Sequence, residues 1–343
     1  MAVSKITTLL IDDSGFMRIL LSDFLRRDED INVIATASNG REGVEKARAL
    51  HPDVVITDMM MPEFDGLYVV NQLMKVMPVP IILMSSLTRA DSRIFDALKE
   101  GAFDFIDKPR ENRIVDGYFP LIKMVHEASR VDFSKLKQRK KKGNTSSHKF
   151  RHAQSRYDVI AIGSSTGGPS AIEYILDNLP ANLTVPVVIA QHMPDRFIES
   201  FAARLADMMQ LKISVARDGE PLRQNHIYMA PGIANIKISN QGSGPIVQYV
   251  YDQYREFNDP SIDCLFESLA DNFGDRAIGV ILTGMGRDGV NGLKKIREAG
   301  GLTLAQDKDT SIVFGMPKAA FESGAAMHQI PLTEIPNFII SAL

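Results

Sequence analysis

Short apolar-rich runs recur along the first third of the chain, and each ends in polar residues. These runs are Thr7–Ile11, Val54–Thr57, Ile81–Met84 and Phe103–Ile106. After the first run, Phe16, Leu20 and Phe24 recur every four residues, which is the spacing of one face of a helix. Apolar strands that alternate with helices predict a parallel sheet covered on both faces. The ligand site of such a sheet lies beyond the carboxyl ends of its strands.

The same alternation returns after residue 156. Strands are predicted at 157–162, 185–190 and 277–282, with shorter ones at 213–215 and 227–230. Residues 246–250 alternate in polarity after the Gly-rich turn 242–245, which predicts a hairpin. The second half is therefore expected to be another α/β domain, with a mainly parallel sheet and a hairpin.

A polar, basic segment separates the two patterns. Residues 133–157 hold nine Lys or Arg residues and no Asp or Glu, although the formal net charge of the chain is -3. Such a segment cannot bury a core, so it predicts a flexible linker at 126–155 between domains at 1–125 and 156–343. The alternative is a nucleic-acid-binding arm. Interleaved aromatic residues and a recognition helix are missing, so we expect no direct nucleic-acid contact.

The composition indicates a cytoplasmic protein. Hydrophobic residues make up 45% of the chain and charged residues 24%, which is ordinary for a globular protein. Charged residues interrupt the first apolar run, and no run approaches about 18 apolar residues, so neither a signal peptide nor membrane insertion is expected. Cys264 is the single cysteine. It cannot form an internal disulfide, and its helix-like surroundings predict a buried structural thiol rather than a catalytic one.

Acidic residues, a hydroxyl and a lysine follow the strands of the first domain. They are Asp12, Asp13, Asp58, Ser85 and Lys108. A single aspartate at a strand end is usually a helix cap or a turn residue, but this ordered set favours a site. Three carboxylates in one crevice repel one another unless a cation lies among them, and Mg²⁺ prefers oxygen ligands. A carboxylate beside Mg²⁺ suits phosphoryl transfer to give an aspartyl phosphate.

With these residues, the stretch 5–122 resembles the receiver domain of two-component response regulators. The resemblance implies a flavodoxin-like fold, a doubly wound sheet of five parallel strands, and Mg²⁺-dependent phosphorylation of Asp58. The residues implied for the metal site are Asp12, Asp13, Asp58 and the backbone carbonyl of Met60. Those implied for the conformational switch are Ser85, Lys108 and Phe105, where Phe105 lacks the hydroxyl of a tyrosine.

Ser165 lies in the turn Gly163–Pro169, directly after a predicted strand. Such a turn raises a hydroxyl above the carboxyl edge of a sheet and leaves backbone N–H groups free beside it. The turn has neither the G-x-G-x-x-G spacing of a dinucleotide site nor the Gly-Lys-Ser/Thr ending of a P-loop. The residues alone leave two alternatives, a nucleophilic serine and a phosphate-binding loop.

A serine nucleophile needs a base, and the base needs an acid that orients it. Of the seven histidines, His192 alone directly follows a core strand at its carboxyl end, although a single histidine there is more often a structural residue. Asp288 follows a third strand in a Gly-rich loop, where it could merely cap the next helix. Together, Ser165, His192 and Asp288 predict a triad whose chain order differs from that of the α/β-hydrolases.

Six motifs of the second domain resemble the CheB family of chemotaxis methylesterases. They are Gly163–Pro169, Gln191–Pro194, Ala230–Gly232, Pro260–Asp263, Leu282–Gly289 and Val313–Pro317. The resemblance implies a Rossmann-like hydrolytic domain. The residue roles that it implies are Ser165 as nucleophile, His192 as base, Asp288 as orienting acid, Thr166 beside the nucleophile, and the Met285 N–H as oxyanion donor.

The resemblance also implies what the enzyme acts on and how it is controlled. The implied substrates are methyl-accepting chemoreceptors, whose glutamate methyl esters are hydrolysed and whose glutamines are deamidated. A chemotaxis histidine kinase would be the phosphodonor, with Mg²⁺ needed for phosphorylation and no cofactor for ester hydrolysis. The unphosphorylated receiver is expected to cover the catalytic cleft. The rival hypothesis is a non-catalytic module, controlled by the receiver, that binds a nucleotide in the Gly-rich loop.

Overall fold

The protein forms two compact units, one within residues 1–139 and one within residues 140–343. They are seen in a computed structural model that describes residues 5–85, 92–108, 119–131, 156–240, 242, 244–252, 254 and 260–343. Each unit has its own parallel sheet, so each is described separately below.

The first unit alternates strands and helices throughout. Its elements are β1 (Ile6–Ile11), α1 (Gly15–Leu25), β2 (Ile31–Ala37), α2 (Gly40–Leu50), β3 (Val54–Asp58), α3 (Gly66–Val76), β4 (Ile81–Ser85), α4 (Arg93–Glu100), β5 (Asp104–Asp107) and α5 (Phe119–Ser129). The described strands form one sheet in the order β2-β1-β3-β4-β5, and all of its pairs are parallel. Because the order reverses at β1, the helices lie on both faces of the sheet. The doubly wound fold expected from the sequence is confirmed.

Two details of this unit differ from the expectations. Phe16 was expected on the buried face of α1, but it is 65% exposed, because the buried face is formed one turn later by Leu21, Phe24 and Leu25. The predicted linker, 126–155, starts inside α5, which continues to Ser129 because Ala128 is still packed in the core. The rest of that predicted linker, from residue 132 onward, lies outside the described residues.

The second unit repeats the alternation on a larger scale. Its elements are β6 (Val159–Ser164), α6 (Gly168–Asp177), β7 (Val187–Gln191), α7 (Asp195–Met208), β8 (Lys212–Val215), β9 (His226–Met229), β10 (Asn235–Asn240), β11 (Pro245–Val250), α8 (Ile262–Phe273), β12 (Ala277–Ile281), α9 (Val290–Glu298), β13 (Leu302–Gln306), α10 (Met316–Glu322), β14 (His328–Ile330) and α11 (Ile335–Ala342). The main sheet has the order β14-β13-β12-β6-β7-β9-β8, and every pair in it is parallel. Strands β6 and β12 lie at its centre. Their carboxyl ends therefore open onto the middle of one sheet edge.

The expected hairpin is also present. Strands β10 and β11 pair antiparallel and form a separate two-stranded sheet. This hairpin packs on α8, where the Ser268 hydroxyl accepts a hydrogen bond from the Ile238 N–H at 2.9 Å. Cys264, the single cysteine, lies in α8 as a fully buried thiol, and the predicted burial is confirmed.

All helices in the described ranges are short. The longest of them, α7, has 14 residues. None of these helices has the length and apolar character needed to cross a bilayer.

Candidate active site and phosphorylation site

Three neighbouring strands carry the residues of the predicted triad at their carboxyl ends. Ser165 follows β6 directly and His192 follows β7 directly, and the last pair between these strands is Ser164 with Gln191. The His192 N–H donates to the Ser164 carbonyl at 3.0 Å, which extends the pairing by one residue. Asp288 lies in the loop after β12, on the other side of β6. The parallel register therefore brings the nucleophile and base candidates to adjacent positions.

The turn that holds Ser165 depends on glycine. Gly167 has a φ of 75°, in the left-handed region that favours glycine. On the neighbouring strand end, a Cβ on Gly284 would lie 2.7 Å from the Ser165 Cβ and 2.5 Å from the Met316 sulfur, so the loop after β12 can approach Ser165 only with glycine there. The Ser165 N–H donates to the Thr283 carbonyl at 3.0 Å. The serine is thus fixed between two loops and remains half-buried.

His192 and Asp288 are in direct contact. The His192 Nε2 lies 2.7 Å from the Asp288 Oδ2, with the histidine side chain 23% exposed and the aspartate side chain fully buried. An ionised carboxylate can only accept, so the Nε2 carries the hydrogen and the lone pair lies on the Nδ1. This arrangement fits the base-and-acid pair that a serine nucleophile requires.

Asp288 is held in place by the amino end of α8. Besides His192, its carboxylate accepts hydrogen bonds from Ile262 N, Asp263 N, Gly289 N and Ser261 Oγ. Burial raises the pKa of Asp288, but the hydrogen bond and charge of His192 and the two α8 amides lower it more, so the pKa lies below its ordinary value. The acid therefore stays ionised in a buried position.

The loop between β12 and Asp288 supplies a backbone donor close to Ser165. The Met285 N–H donates to no acceptor among the described residues, and Met285 follows the glycine that packs on Ser165. Thr166, predicted to lie beside the nucleophile, is 3% exposed, and its carbonyl accepts a hydrogen bond from the Thr283 hydroxyl at 2.9 Å. The roles of Thr166 beside the nucleophile and of the Met285 N–H as oxyanion donor stay predictions.

Two further residues support this site, and no role was predicted for either of them from the sequence. Gln191 is a buried amide that bonds to both strand ends, and Ser261 caps α8 and contacts Asp288. Both belong to the quoted motifs Gln191–Pro194 and Pro260–Asp263. A polar residue at the last position of an otherwise apolar strand was the available signal for Gln191.

The first unit gathers its predicted acidic residues in one cluster. Oxygen atoms of Asp12, Asp13 and Asp58 all lie within 4.8 Å of one another. The Lys108 Nζ lies 2.7 Å from the Asp12 Oδ2 and 2.7 Å from the Asp58 Oδ2. Burial, together with the charge of Asp12, raises the pKa of Asp58 even though Lys108 opposes the shift. Burial also opposes the charge on Lys108, but Asp58 and Asp12 outweigh it and raise its pKa.

The other predicted receiver residues surround this cluster. The Met60 N–H donates to the Asp58 Oδ1 at 3.3 Å. Ser85 is fully buried, and its hydroxyl finds no hydrogen-bond partner within the described ranges. Phe105 is also buried, in β5. Three carboxylates this close form a hard oxygen donor set, so the residues fit a divalent cation such as Mg²⁺. The Ser85 hydroxyl lies at the end of the adjacent strand β4 and has no hydrogen-bond partner among the described residues. It therefore fits a role as donor to an oxygen of a ligand bound beside the cation.

Comparison with known proteins decides the family. The model of the family described as "CheB methylesterase" matches residues 160–339, and that of the response regulator receiver domain matches residues 8–117. The chain belongs to the CheB methylesterase family. This CheB-type chain is a methylesterase with an added receiver domain, and its recognition from sequence motifs is confirmed.

Relatives of this CheB-type chain match it over nearly its whole length. A Methanosarcina mazei protein named protein-glutamate methylesterase/protein-glutamine glutaminase 1 is 38% identical, over 98% of this chain and 96% of the relative. A Geobacillus kaustophilus protein named protein-glutamate methylesterase/protein-glutamine glutaminase is 38% identical over 99% of both chains. The crystal structure of the Thermotoga maritima CheB methylesterase catalytic domain has a TM-score of 0.53 and 36% identity, covering 55% of this chain and 99% of that one. The comparisons thus support the hydrolase and not the nucleotide-binding module.

Proposed function

We propose that Ser165, His192 and Asp288 hydrolyse methyl esters on glutamate side chains of chemoreceptors. The observation that carries the proposal is the 2.7 Å contact between His192 and the buried Asp288 at the strand end next to Ser165. The family and the names of the relatives support the same substrate class. The rival nucleotide-binding module has no use for a buried acid paired with a histidine.

In the first half of the reaction, the Ser165 oxygen replaces the methoxy group on the carbonyl carbon. The His192 Nδ1 takes the Ser165 hydroxyl proton, and the Ser165 oxygen attacks the ester carbonyl. The Met285 N–H is the candidate donor to the oxyanion that forms, and such donors contribute about 3–4 kcal/mol each. Asp288 stabilises the imidazolium. The carbon–oxygen bond to the methoxy group then breaks, and His192 returns the proton so that methanol leaves.

In the second half, water hydrolyses the glutamyl-serine ester and regenerates the Ser165 hydroxyl. His192 removes a proton from water, the resulting hydroxide attacks the glutamyl-serine ester, and the proton returns to the Ser165 oxygen. The products are a glutamate carboxyl group and the free serine. A glutamine side chain follows the same route with ammonia as the leaving group, which supports the deamidation that the relatives' names include.

The receiver makes this hydrolysis responsive to phosphorylation. Asp58 is the proposed phospho-acceptor, because the receiver family supports that role at the end of β3, and Asp58 is buried there and paired with Lys108, as Asp12 is too. Asp12, Asp13, Asp58 and the Met60 carbonyl would hold Mg²⁺, which when bound neutralises charge on the phosphoryl oxygens. Lys108 and Ser85 would bind those oxygens. A chemotaxis histidine kinase is the proposed phosphodonor, and the cytoplasm is the proposed location of the reaction.

The test is the release of methanol from methylated receptor membranes, measured with and without a small phosphodonor. We expect Ser165→Ala to abolish release while it leaves folding and phosphorylation intact. Ser200→Ala is the matched control, because in the described part of the chain that hydroxyl bonds within α7, to the Arg196 carbonyl. Release by Ser165→Ala above a few per cent of the parent rate would remove Ser165 as the nucleophile.

A further inference from the structure

Gln191 is a buried polar side chain beneath the candidate nucleophile and base. It is the last residue of β7, it pairs with Ser164 in the sheet, and it is only 2% exposed. The four residues before it in β7 are apolar, as a strand buried on both faces requires. A polar residue at this position is costly to bury unless its hydrogen bonds are made.

The side-chain amide of Gln191 forms hydrogen bonds with residues at the carboxyl ends of β6 and β7. Its Nε2 donates to the Ser165 carbonyl at 3.0 Å and to the His192 carbonyl at 2.9 Å. Its Oε1 accepts from the Ser164 hydroxyl at 2.6 Å. Carbonyl oxygens can only accept, so the nitrogen must face them, and the orientation of the amide is fixed by its partners.

The neighbouring turn leaves room for this amide. A Cβ on Gly168 would lie 1.9 Å from the Gln191 Oε1, so a larger residue at 168 would displace the side chain. The Gly168 N–H also donates to the Ser165 carbonyl, at 2.7 Å. That carbonyl is therefore fixed from two directions, by the turn and by Gln191.

We propose that Gln191 is a positioning residue that sets the spacing between Ser165 and His192. One rigid amide binds the backbone carbonyls of both residues, so their relative position cannot change without breaking one of its bonds. This inference rests on the proposed function of that pair. The Gln191 amide lies on the backbone side of both residues and is buried there, so it acts on them and not on the substrate.

The expected consequence is a loss in kcat with little change in KM. Proton transfer from Ser165 to His192 depends on their separation, and a misplacement of about 1 Å costs about 100-fold in rate. Substrate binding uses the exposed side of the site, which the amide does not reach. A residue needed only for folding would change the amount of active enzyme and the melting temperature, not the balance between kcat and KM.

The test compares two variants of the full chain in the methanol-release assay. Gln191→Glu keeps the shape and the bond from Ser164 but loses both donated bonds, and we expect kcat to fall about 100-fold while KM stays within threefold. Gln191→Met keeps the volume and loses all three bonds, and should fall at least as far. A serine-directed fluorophosphonate should label Ser165 more slowly in both. The control is Ile278→Val, which removes a buried methylene at the amino end of β12 and should lower the melting temperature without changing kcat.

Three results would overturn the proposal. Gln191→Glu with kcat within twofold of the parent would show that the spacing does not depend on the amide. A rise in KM that matches the loss in kcat/KM would assign Gln191 to substrate binding. Failure of both variants to fold would make it a residue of the fold alone. If the parent itself releases no methanol, the proposed function fails, and that outcome is separate from all three.

Discussion

Replacing Asp288 with Asn tests whether His192 depends on a carboxylate or only on a polar group of that shape. The carboxylate is fully buried, and every one of its hydrogen bonds is accepted. Its Oδ2 takes the bonds from His192 Nε2 and Ile262 N, whereas its Oδ1 takes those from Ser261 Oγ, Asp263 N and Gly289 N. An asparagine can supply an oxygen at only one of these two positions.

The number of donors decides which position keeps the oxygen. Three donors point at the Oδ1 and two at the Oδ2, so the NH₂ group takes the Oδ2 position. There it faces the Ile262 N–H at a distance of about 2.7 Å and offers a hydrogen to His192. To accept that hydrogen, His192 must move its own proton to the Nδ1. The nitrogen that should receive the serine proton is then already occupied.

The expected loss is about 10⁴-fold in kcat, or about 5.5 kcal/mol, which is the size seen when a triad acid is replaced by its amide and the wrong tautomer results. The new side-chain amide and the Ile262 N–H would also oppose each other as two donors, which should lower the free energy of unfolding by about 1–3 kcal/mol. These effects are separable, because the first appears in kcat and the second in the melting temperature.

Methanol release measures the first effect and thermal unfolding the second. Asp275→Asn makes the same chemical change on a 60% exposed aspartate, and should leave kcat unchanged. If Asp288→Asn kept more than about a tenth of the parent kcat, His192 would not need the carboxylate to hold its tautomer, and the triad assignment would be wrong.

Further predictions follow from other contacts. Gly284→Ala should lower kcat about 100-fold and stability by about 1–3 kcal/mol, since its Cβ would press on Ser165; parental kinetics would contradict that close approach. Asp58→Asn should abolish stimulation by a phosphodonor, and labelled phosphate in the variant would reject the site. Because the pKa of Asp58 is raised, its charge opposes folding above that pKa, so the same variant should melt higher at neutral pH. The pKa of Asp288 is lowered, so its stabilisation is present above its unfolded pKa; the melting difference between parent and Asp288→Asn should shrink as pH falls through the folded pKa. A fragment of residues 156–343 should release methanol and ignore a phosphodonor, and a response to the phosphodonor would place a second phospho-acceptor there.

The positions of Ser165 and His192 could be predicted because they depend on local pattern. Each directly follows a continuous apolar run, and the carboxyl ends of parallel strands share one edge of the sheet. The same rule brought Asp12, Asp13 and Asp58 together. Residues placed by that rule need no knowledge of side-chain packing.

Side-chain partners and exposure could not be predicted in this way. The bond from α8 to Asp288 depends on how that helix packs beside the loop after β12, and no spacing in the sequence encodes it. Phe16 has helical periodicity with Phe24, yet it lies in the first turn of α1, whereas the buried residues of that helix begin at Leu21. Strand β14 is only three residues long, and its Gln329 and His328 give no apolar run to detect.

The central strand pair also governs when activity can arise during synthesis. Strand β6 pairs with β12, so Gly163 cannot form its sheet contact until Ile281, more than a hundred residues later in the chain, has been synthesised. The receiver sheet closes entirely within residues 6–107 and can fold early. Contacts between such distant segments form slowly, and chains fold from the amino end as they are made. A nascent chain therefore completes its receiver sheet while the sheet of the esterase unit still lacks β12, and the proposed triad stays incomplete until Asp288 has left the ribosome.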